Sequence, residues 1–161
     1  MSGQNAVTAV ICAAGKGTRA GFSKNKLLVQ TQGYPTLLKT VNAFDIPEIH
    51  EILVAVNQDD FEEIQTLCAQ IEKVRLVIGG ETRPQTVQNA LLETKTEIVL
   101  VHDGARPNVS REIIVSCIDS VKEYGSGIVC IPPVDTVAVT DGEVIRAVPD
   151  RTTLRAVQTP Q

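Results

Sequence analysis

The stretch AVTAVICAAGKGTRA, residues 6–20, joins an apolar run of strand length to a turn that is rich in small residues. A run that is apolar on successive residues is typical of a strand buried on both faces of a parallel sheet. We therefore predict a first strand over Ala6–Ala13, with a loop at its carboxyl end. Gly15 and Gly17 would let backbone N–H groups of this loop approach a phosphate closely, and Arg19 would add positive charge.

The same alternation continues along the chain, because further apolar runs are separated by stretches in which apolar residues recur every three or four positions. Helices between buried strands indicate an α/β fold, a mostly parallel sheet in a three-layer sandwich. The later predicted strands are Glu51–Val56, Val74–Ile78, Glu97–His102 and Gly127–Ile131. The predicted helices are Pro35–Phe44, Asp59–Glu72, Arg83–Thr94 and Ser110–Tyr124, with N-caps at Asp59, Thr82 and Ser110 and with Gly125 closing the last helix.

A different pattern begins at Pro132-Pro133, where Asp141-Gly142 stands between the β-branched runs Thr136–Thr140 and Glu143–Val148. Asp-Gly between two such runs is a strong signal for a β-hairpin. Because an isolated hairpin is marginally stable in water, this arm (residues 133–150) is expected to project from the sheet and to find a partner. The simplest partner is the same arm of a second subunit, which would make the protein a homodimer.

The length of 161 residues favours one domain. The chain stops at Thr159-Pro160-Gln161 without a closing helix or strand, which is abrupt for an α/β domain. We therefore interpret residues 1–161 as a single domain that lacks a C-terminal segment. Hydrophobic residues make up 43% of the chain and charged residues 21%, which is ordinary for a globular protein.

The charge balance argues against polymeric and membrane partners. Fifteen Lys and Arg against nineteen Asp and Glu leave a net charge of −4, which is a poor match for nucleic-acid polymers or an anionic membrane. Two Tyr, three Phe and no Trp are too few for stacking on single strands. No apolar stretch is long enough to span a bilayer. The four widely spaced cysteines lie among apolar neighbours, so we expect buried thiols in a cytoplasmic protein.

Ligands of open α/β sheets bind at the carboxyl ends of the strands. Residues 15–20 formally fit the dinucleotide fingerprint G-x-G-x-x-A, so an NAD-dependent dehydrogenase is one alternative. In such enzymes the loop opens directly into a helix, whereas residues 21–26 of this chain form a polar loop. A long loop that carries Lys16, Arg19, Lys24 and Lys26 is more typical of a clamp around a triphosphate.

Two more loops lie at the same predicted edge. Asp103 follows the fourth strand and suits Mg²⁺, which is usually held by one or two carboxylates together with phosphate oxygens. The planar guanidinium of Arg106 could meet a second phosphate. The loop over residues 79–86 offers another close approach to a ligand, and its alternative interpretation is merely a helix start capped by Thr82.

Four motifs therefore stand in one order. They are Ala13-Ala14-Gly15-x-Gly17-x-Arg19 with Lys26; Gly79-Gly80-x-x-Arg83-x-x-Thr86; His102-Asp103-x-Ala105-Arg106-Pro107; and Asp150-Arg151 followed by Gln158-Thr159-Pro160-Gln161. Together they closely resemble the 2-C-methyl-D-erythritol 4-phosphate cytidylyltransferases of the sugar-nucleotidyltransferase superfamily. The resemblance spans essentially the whole chain. It implies a Rossmann-like nucleotidyltransferase sheet that uses CTP, a sugar-alcohol phosphate and Mg²⁺ to form a CDP-alcohol and pyrophosphate in non-mevalonate isoprenoid biosynthesis.

The resemblance also implies roles for individual residues. Arg19 and Lys26 would stabilise charge on the α-phosphate of CTP, and Asp103 would hold Mg²⁺. Arg106 would bind the phosphate of the second substrate together with Thr136 and the catalytic Arg151, both of which would reach across from the partner's arm. The residues implied in binding CTP are Ala13, Ala14, Gly15, Gly17, Gly80, Glu81 and Thr86.

The chain departs from the family pattern at several points. It has Asn25-Lys26-Leu27 where the family usually reads Pro-Lys-Gln, and Thr86 where Ser is common. The family also continues well past the Thr-Pro-Gln motif, with a further sheet element and a second Lys. The alternatives left open are cytidylyl transfer to ribitol 5-phosphate, a nicotinamide-dependent dehydrogenase, and a dimerising fragment without activity.

Overall fold

The structure, a computed structural model, describes residues 6–15, 25–31 and 33–161. The predicted site residues Gly17 and Arg19 lie outside the described residues, as do Lys16 and Lys24. The strands are β1 Val7–Cys12, β2 Gln30–Thr31, β3 Tyr34–Pro35, β4 Glu51–Val56, β5 Val74–Ile78, β6 Ile98–Asp103, β7 Cys130–Ile131, β8 Val139–Asp141, β9 Val144–Ala147 and β10 Ala156–Val157. The helices are α1 Thr36–Phe44, α2 Phe61–Cys68, α3 Arg83–Glu93 and α4 Arg111–Tyr124.

A four-stranded parallel sheet in the order β5-β4-β1-β6 forms the centre of the fold. Alternate residues of its strands face two separate apolar clusters, as strand geometry requires. Val7, Ala9 and Ile11 pack in the larger cluster with buried residues of α1, α2 and α4. Val10 packs in the smaller cluster, which includes Ala90 of α3. The predicted three-layer α/β fold is therefore confirmed.

The register of the sheet brings several strand ends to one edge. Cys12 lies opposite Ala55 of β4 on one side and opposite Asp103 of β6 on the other. The Ala13 N–H extends this pairing by donating to the Ala55 carbonyl at 2.7 Å. Because all four strands run the same way, the segments that follow β1, β4, β5 and β6 emerge side by side.

Two local predictions are wrong for identifiable reasons. The run Gly127–Ile131 is not a fifth parallel strand, since only Cys130 and Ile131 are extended, and they pair antiparallel with β10. Asp59 does not cap a helix over Asp59–Glu72. Instead the Asn57 side chain accepts the Asp60 N–H and caps a 3-10 turn that precedes the shorter helix α2.

Other local signals were interpreted correctly. Thr82 and Ser110 cap α3 and α4 through their side chains, and Gly125 ends α4 with a φ of 80°. The expectation of buried thiols holds for Cys68 and Cys117, but it is wrong for Cys130, which is exposed at the start of the irregular segment that leads into the arm.

The hairpin is present as β8 and β9, with Gly142 at a φ of 60° in the turn. Both strands are shorter than predicted, and their ladder is irregular between Val139 and Thr140. Every residue of β8 and β9 is exposed, including Val144 and Ile145. Among the described residues, no helix is long and apolar enough to cross a membrane.

Candidate active site at the carboxyl edge of the sheet

The last residue of β6, Asp103, lies between two arginine side chains. Its Oδ1 is 3.1 Å from Nε of Arg83, which opens helix α3, and its Oδ2 is 3.3 Å from Nε of Arg106. The three side chains are 31%, 49% and 48% exposed, so these groups are accessible from solvent. A carboxylate and two cations from separate loops therefore meet at one point of the sheet edge.

Arg83 is a site residue that the sequence prediction missed as a ligand-binding group, although the motif that identified the loop contained it. Arg83 is the first residue of α3, directly after the N-cap Thr82, and the sequence pattern at this point predicts a helix start rather than a ligand contact. The contact becomes visible only in the folded sheet, where β4 and β1 lie between β5 and β6 and the start of α3 brings Arg83 to Asp103.

The buried side chain of His102 stabilises the turn that follows β6. This side chain is fully buried, and its ring centroid is 4.9 Å from that of Phe44. Its Nε2 lies 3.0 Å from the Arg106 carbonyl oxygen. Burial lowers the pKa of His102, so the ring is neutral and donates this hydrogen bond through Nε2–H. His102 thus shapes the turn that presents Arg106 rather than facing a ligand.

The Thr-Pro-Gln motif lies along the free edge of β6. Gln161 exchanges backbone hydrogen bonds with Val101 at 2.9 and 3.1 Å. The Asp103 N–H donates to Oγ1 of Thr159 at 3.4 Å, and Nη1 of Arg106 donates to Oε1 of Gln158 at 2.5 Å. The motif therefore fixes both Asp103 and Arg106, a role that sequence reasoning did not assign to Gln158 or Thr159.

The loop between β5 and α3 folds around the Thr86 hydroxyl. This group is buried, accepts the Gly80 N–H at 3.1 Å and donates to the Gly80 carbonyl at 3.2 Å. A Cβ on Gly79 would lie 2.5 Å from Cβ of Ala14, so the loops that follow β1 and β5 are in close contact. The structure thus brings together Ala14, Gly80 and Thr86, while Glu81 is exposed beside them.

Lys26 opens a short 3-10 helix, Lys26–Leu28, and its side chain is exposed. The preceding residue, Asn25, is buried and donates to the Ala13 carbonyl at 3.4 Å. The following residue, Leu27, is buried, and a Cβ on Gly104 would lie 3.3 Å from its Cδ1. Lys26 is therefore anchored between the end of β1 and the end of β6, at the same edge as Asp103.

Thr136 and Arg151 belong to a different region. Both are exposed, and Nη1 of Arg151 donates to the Val134 carbonyl at 3.4 Å, across the base of the arm. The structure therefore groups these two residues with the arm, and the other described site residues with the sheet edge.

The chemistry available at the edge is electrostatic. Burial raises the pKa of the Cys12 thiol to about 11, so this group is a neutral thiol at neutral pH despite its nearness to Arg83. Within the described part of the chain, no cluster of three or more His, Cys, Asp and Glu side chains could hold a metal by itself. The edge offers one carboxylate between Arg83 and Arg106, with Lys26 on a neighbouring segment, and this supply of cations suits the binding of phosphates.

Two grooves elsewhere on the described residues do not include this edge. One, of about 340 Å³, lies between α4 and residues 128–130, and the other, of about 480 Å³, lies between α2 and β5. Neither groove is lined by a predicted site residue. Shape alone would therefore misplace the site, and we assign it from the converging charged groups and backbone donors.

Comparison with known sequences agrees with the motifs. A family model described as IspD, 2-C-methyl-D-erythritol 4-phosphate cytidylyltransferase, matches residues 7–161. A relative of that name from Bacillus licheniformis is 38% identical over 158 residues, which cover 94% of this chain and 68% of the relative. Another from Alkaliphilus metalliredigens is 40% identical over 163 residues, covering 96% of this chain and 68% of the relative.

Solved structures are similar along almost the whole chain. The 4-diphosphocytidyl-2C-methyl-D-erythritol synthase from Anaerococcus prevotii gives a TM-score of 0.86 at 26% identity and covers 98% of this chain and 70% of its own. The 2-C-methyl-D-erythritol 4-phosphate cytidylyltransferase from Thermus thermophilus gives 0.71 at 30% identity, with coverages of 96% and 68%.

Proposed function

The chain belongs to the 2-C-methyl-D-erythritol 4-phosphate cytidylyltransferase family, and we propose how its residues divide the work of that reaction. The function is cytidylyl transfer from CTP to 2-C-methyl-D-erythritol 4-phosphate in non-mevalonate isoprenoid biosynthesis. An oxygen of the substrate phosphate forms a bond to the α-phosphorus of CTP. The bond from that phosphorus to the bridging oxygen of the β-phosphate breaks, and pyrophosphate leaves with the electron pair.

The main obstacle in this reaction is the approach of two anions. Catalysis of phosphoryl-type transfer is therefore mostly positioning and neutralisation of charge, with little proton transfer. In our proposal Lys26, together with Arg19, stabilises the charge that builds up on the α-phosphate. Both residues would act more strongly in the transition state than in the ground state, and so would raise turnover more than affinity for CTP.

The cytidine half of CTP is proposed to bind at the loops that follow β1 and β5. The backbone around Ala13, Ala14 and Gly15 would approach the nucleotide, and Gly17 would continue that loop. Gly80 and Glu81 would offer backbone groups to the base and ribose. The hydrogen bonds of Thr86 to both backbone groups of Gly80 support this role, because they fix the shape of the second loop.

Members of this family use divalent metal ions. We propose Mg²⁺ for this chain, with Asp103 as its protein ligand. The donor set fits, since Mg²⁺ commonly takes one or two carboxylates and completes its shell with phosphate oxygens and water. The bound ion would neutralise triphosphate charge. The role of the chain itself is to hold the Asp103 carboxylate at the sheet edge, where Arg83 and Arg106 contact it.

The second substrate is proposed to bind between the sheet edge of one subunit and the arm of another. Arg106 would hold the substrate phosphate from the edge, while Thr136 and Arg151 would come from the partner's arm. The exposed apolar residues of the arm support pairing of two copies, because a monomer gains nothing from exposing Val144 and Ile145. On this view residues 1–161 belong to one domain, and residues 133–150 are its dimerisation arm.

The observation that carries the proposal is the meeting of Asp103 with Arg83 and Arg106 beside the anchored Lys26. It is tested by measuring pyrophosphate release from CTP and Mg²⁺ with 2-C-methyl-D-erythritol 4-phosphate and with ribitol 5-phosphate in parallel. We expect release with the first acceptor and loss of that release in Asp103→Asn. Release with ribitol 5-phosphate alone would overturn the acceptor. Absence of pyrophosphate release with both acceptors would show that this chain is not active by itself.

A further inference from the structure

A buried hydrogen-bond network lies directly behind Lys26. The side chain of Asn25 is only 5% exposed, and both its oxygen and its nitrogen form hydrogen bonds. Its Oδ1 accepts the Leu27 N–H at 3.1 Å, and its Nδ2 donates to Oδ2 of Asp60 at 2.7 Å and to the Ala13 carbonyl at 3.4 Å. One amide thus joins the end of β1, the start of the 3-10 helix and the segment that follows β4.

Asp60 is held in place from its other side. Its Oδ2 also accepts Nδ2 of Asn57 at 2.5 Å, and its own N–H donates to Oδ1 of Asn57 at 2.9 Å. Asn57 directly follows β4, so the network is fixed to the rigid central sheet. We call Asn25, Asn57 and Asp60 the amide clamp.

The amide clamp determines where the backbone of Lys26 lies. Asn25 caps the 3-10 helix that Lys26 opens, and Leu27 is buried next to Gly104 on the far side. Lys26 itself is exposed, and its side chain extends from a backbone that is fixed on both flanks. Buried polar groups that are fully hydrogen-bonded specify a single local conformation, whereas partly satisfied ones do not.

We propose that Asn25 is a positioning residue that acts through Lys26, and that Asp60 is its essential partner. This inference rests on the proposed function, because it assumes that the Lys26 ammonium contacts CTP. An amide suits position 25, because its Nδ2 donates to the Asp60 carboxylate while its Oδ1 accepts the Leu27 N–H. Correct placement matters, because a displacement of about 1 Å in a positioned group can lower a rate by about 10²-fold.

The test is a reciprocal exchange of the two partners. Asn25→Asp places two carboxylates against each other, and Asp60→Asn in the same chain restores an amide–carboxylate pair with its donor and acceptor reversed. We expect kcat to fall by about 10²-fold in Asn25→Asp, with a KM for CTP within about threefold of the parent. In the double variant we expect kcat to recover at least about tenfold, because the pair with Asp60 is restored and only the longer hydrogen bond to the Ala13 carbonyl stays lost. Asn42→Ala, at an exposed position of α1, is the matched control and should leave kcat unchanged.

A second readout does not require turnover. Acylation of the Lys26 amine by acetic anhydride, followed by mass spectrometry, reports protection of this side chain by CTP and Mg²⁺. We expect protection in the parent, loss of protection in Asn25→Asp and its return in the double variant. Thermal unfolding of each variant shows whether the chain is folded.

Steady-state kinetics of Lys26→Ala separate the claim that Lys26 acts on CTP from the claim that Asn25 positions Lys26. Unchanged turnover in Lys26→Ala would overturn the proposed role of the lysine. If Lys26→Ala is impaired while Asn25→Asp keeps parental kcat and parental protection, the amide clamp does not position Lys26. Failure of the double variant to recover, although folded, would also overturn the pairing with Asp60.

Discussion

The sheet edge and the arm differ in what holds their residues. At the edge, three predicted site residues are fixed by contacts within one chain: Asp103 by two arginines, Thr86 by Gly80, and Lys26 by its buried neighbours. The arm, residues 133–150, has apolar side chains that are exposed on both of its strands. The residues of the edge are therefore fixed within one chain, whereas the exposed apolar side chains of the arm are available for contact with another molecule.

The largest expected effect concerns the edge. Replacing Lys26 by Ala should lower kcat by about 10²-fold or more, because it removes a cation that acts on charge developing in the transition state. The KM for CTP should change less than about fivefold. Steady-state kinetics at varied CTP measure both values. Lys95→Ala is the matched control, since Lys95 is an exposed lysine at the opposite end of β6. An equal fall of kcat in the two variants would show that Lys26 has no catalytic role beyond that of any exposed lysine.

The arm should respond differently to substitution. Ile145 is 61% exposed in the single chain, so Ile145→Lys should change the free energy of unfolding of the isolated chain by less than about 0.5 kcal/mol. In an apolar interface the same charge would be costly, and we expect the dimer to weaken at least about tenfold. Sedimentation equilibrium over a range of concentrations measures this. Unchanged self-association, or a parent that is monomeric throughout, would contradict pairing through the arm.

A smaller effect is expected at the nucleotide loop. Thr86→Val keeps the shape of the side chain but removes the hydroxyl that pairs with both backbone groups of Gly80. We expect the KM for CTP to rise about tenfold, which corresponds to the loss of one or two buried hydrogen bonds. Thr86→Ser keeps the hydroxyl and is the control. Should Thr86→Ser be impaired as strongly as Thr86→Val, the methyl group rather than the hydroxyl would be what matters.

The smallest effect concerns the capping box of α3. The Thr82 side chain accepts the Gln85 N–H, and the Gln85 side chain accepts the Thr82 N–H in return. Thr82→Ala should destabilise the protein by about 1 kcal/mol, as loss of a helix N-cap usually does. Urea unfolding of the parent and the variant gives this value. If Thr82→Ala leaves the free energy of unfolding unchanged, the loop between β5 and α3 is held by Thr86 and Ala14 rather than by the N-cap.

Sequence reasoning found the sheet and its order of elements because successive apolar residues and helical spacing are local signals. It also singled out Asp103 and Arg106, which contact each other in the structure, because both lie within four residues of the end of a predicted strand. It could not find the Asp103–Arg83 pair, because Asp103 ends β6 and Arg83 opens the helix that follows β5, and these two strands lie at opposite sides of the sheet. The network of Asn25 with Asp60 was equally hidden, since it depends on a contact across 35 residues of chain.

The error at Gly127–Ile131 has a related cause. A short apolar run does not reveal its partner, and β7 pairs with β10, which lies close in space only because the Thr-Pro-Gln motif follows the edge of β6. The roles of Thr136 and Arg151 stay predictions. Their position on the arm agrees with action in a second subunit, which no pattern within one chain can establish.

The most direct test of the account is to mix two inactive variants. Lys26→Ala removes a residue of the sheet edge, and Arg151→Ala removes a residue at the base of the arm, where it contacts Val134. If the site combines the edge of one subunit with the arm of another, random pairing of equal amounts restores one intact site in each mixed dimer. Pyrophosphate release should then return to about a quarter of the parental value, because half of the dimers are mixed and each has one intact site of two. A mixture that stays as inactive as its components, although mixed dimers form, would contradict the account.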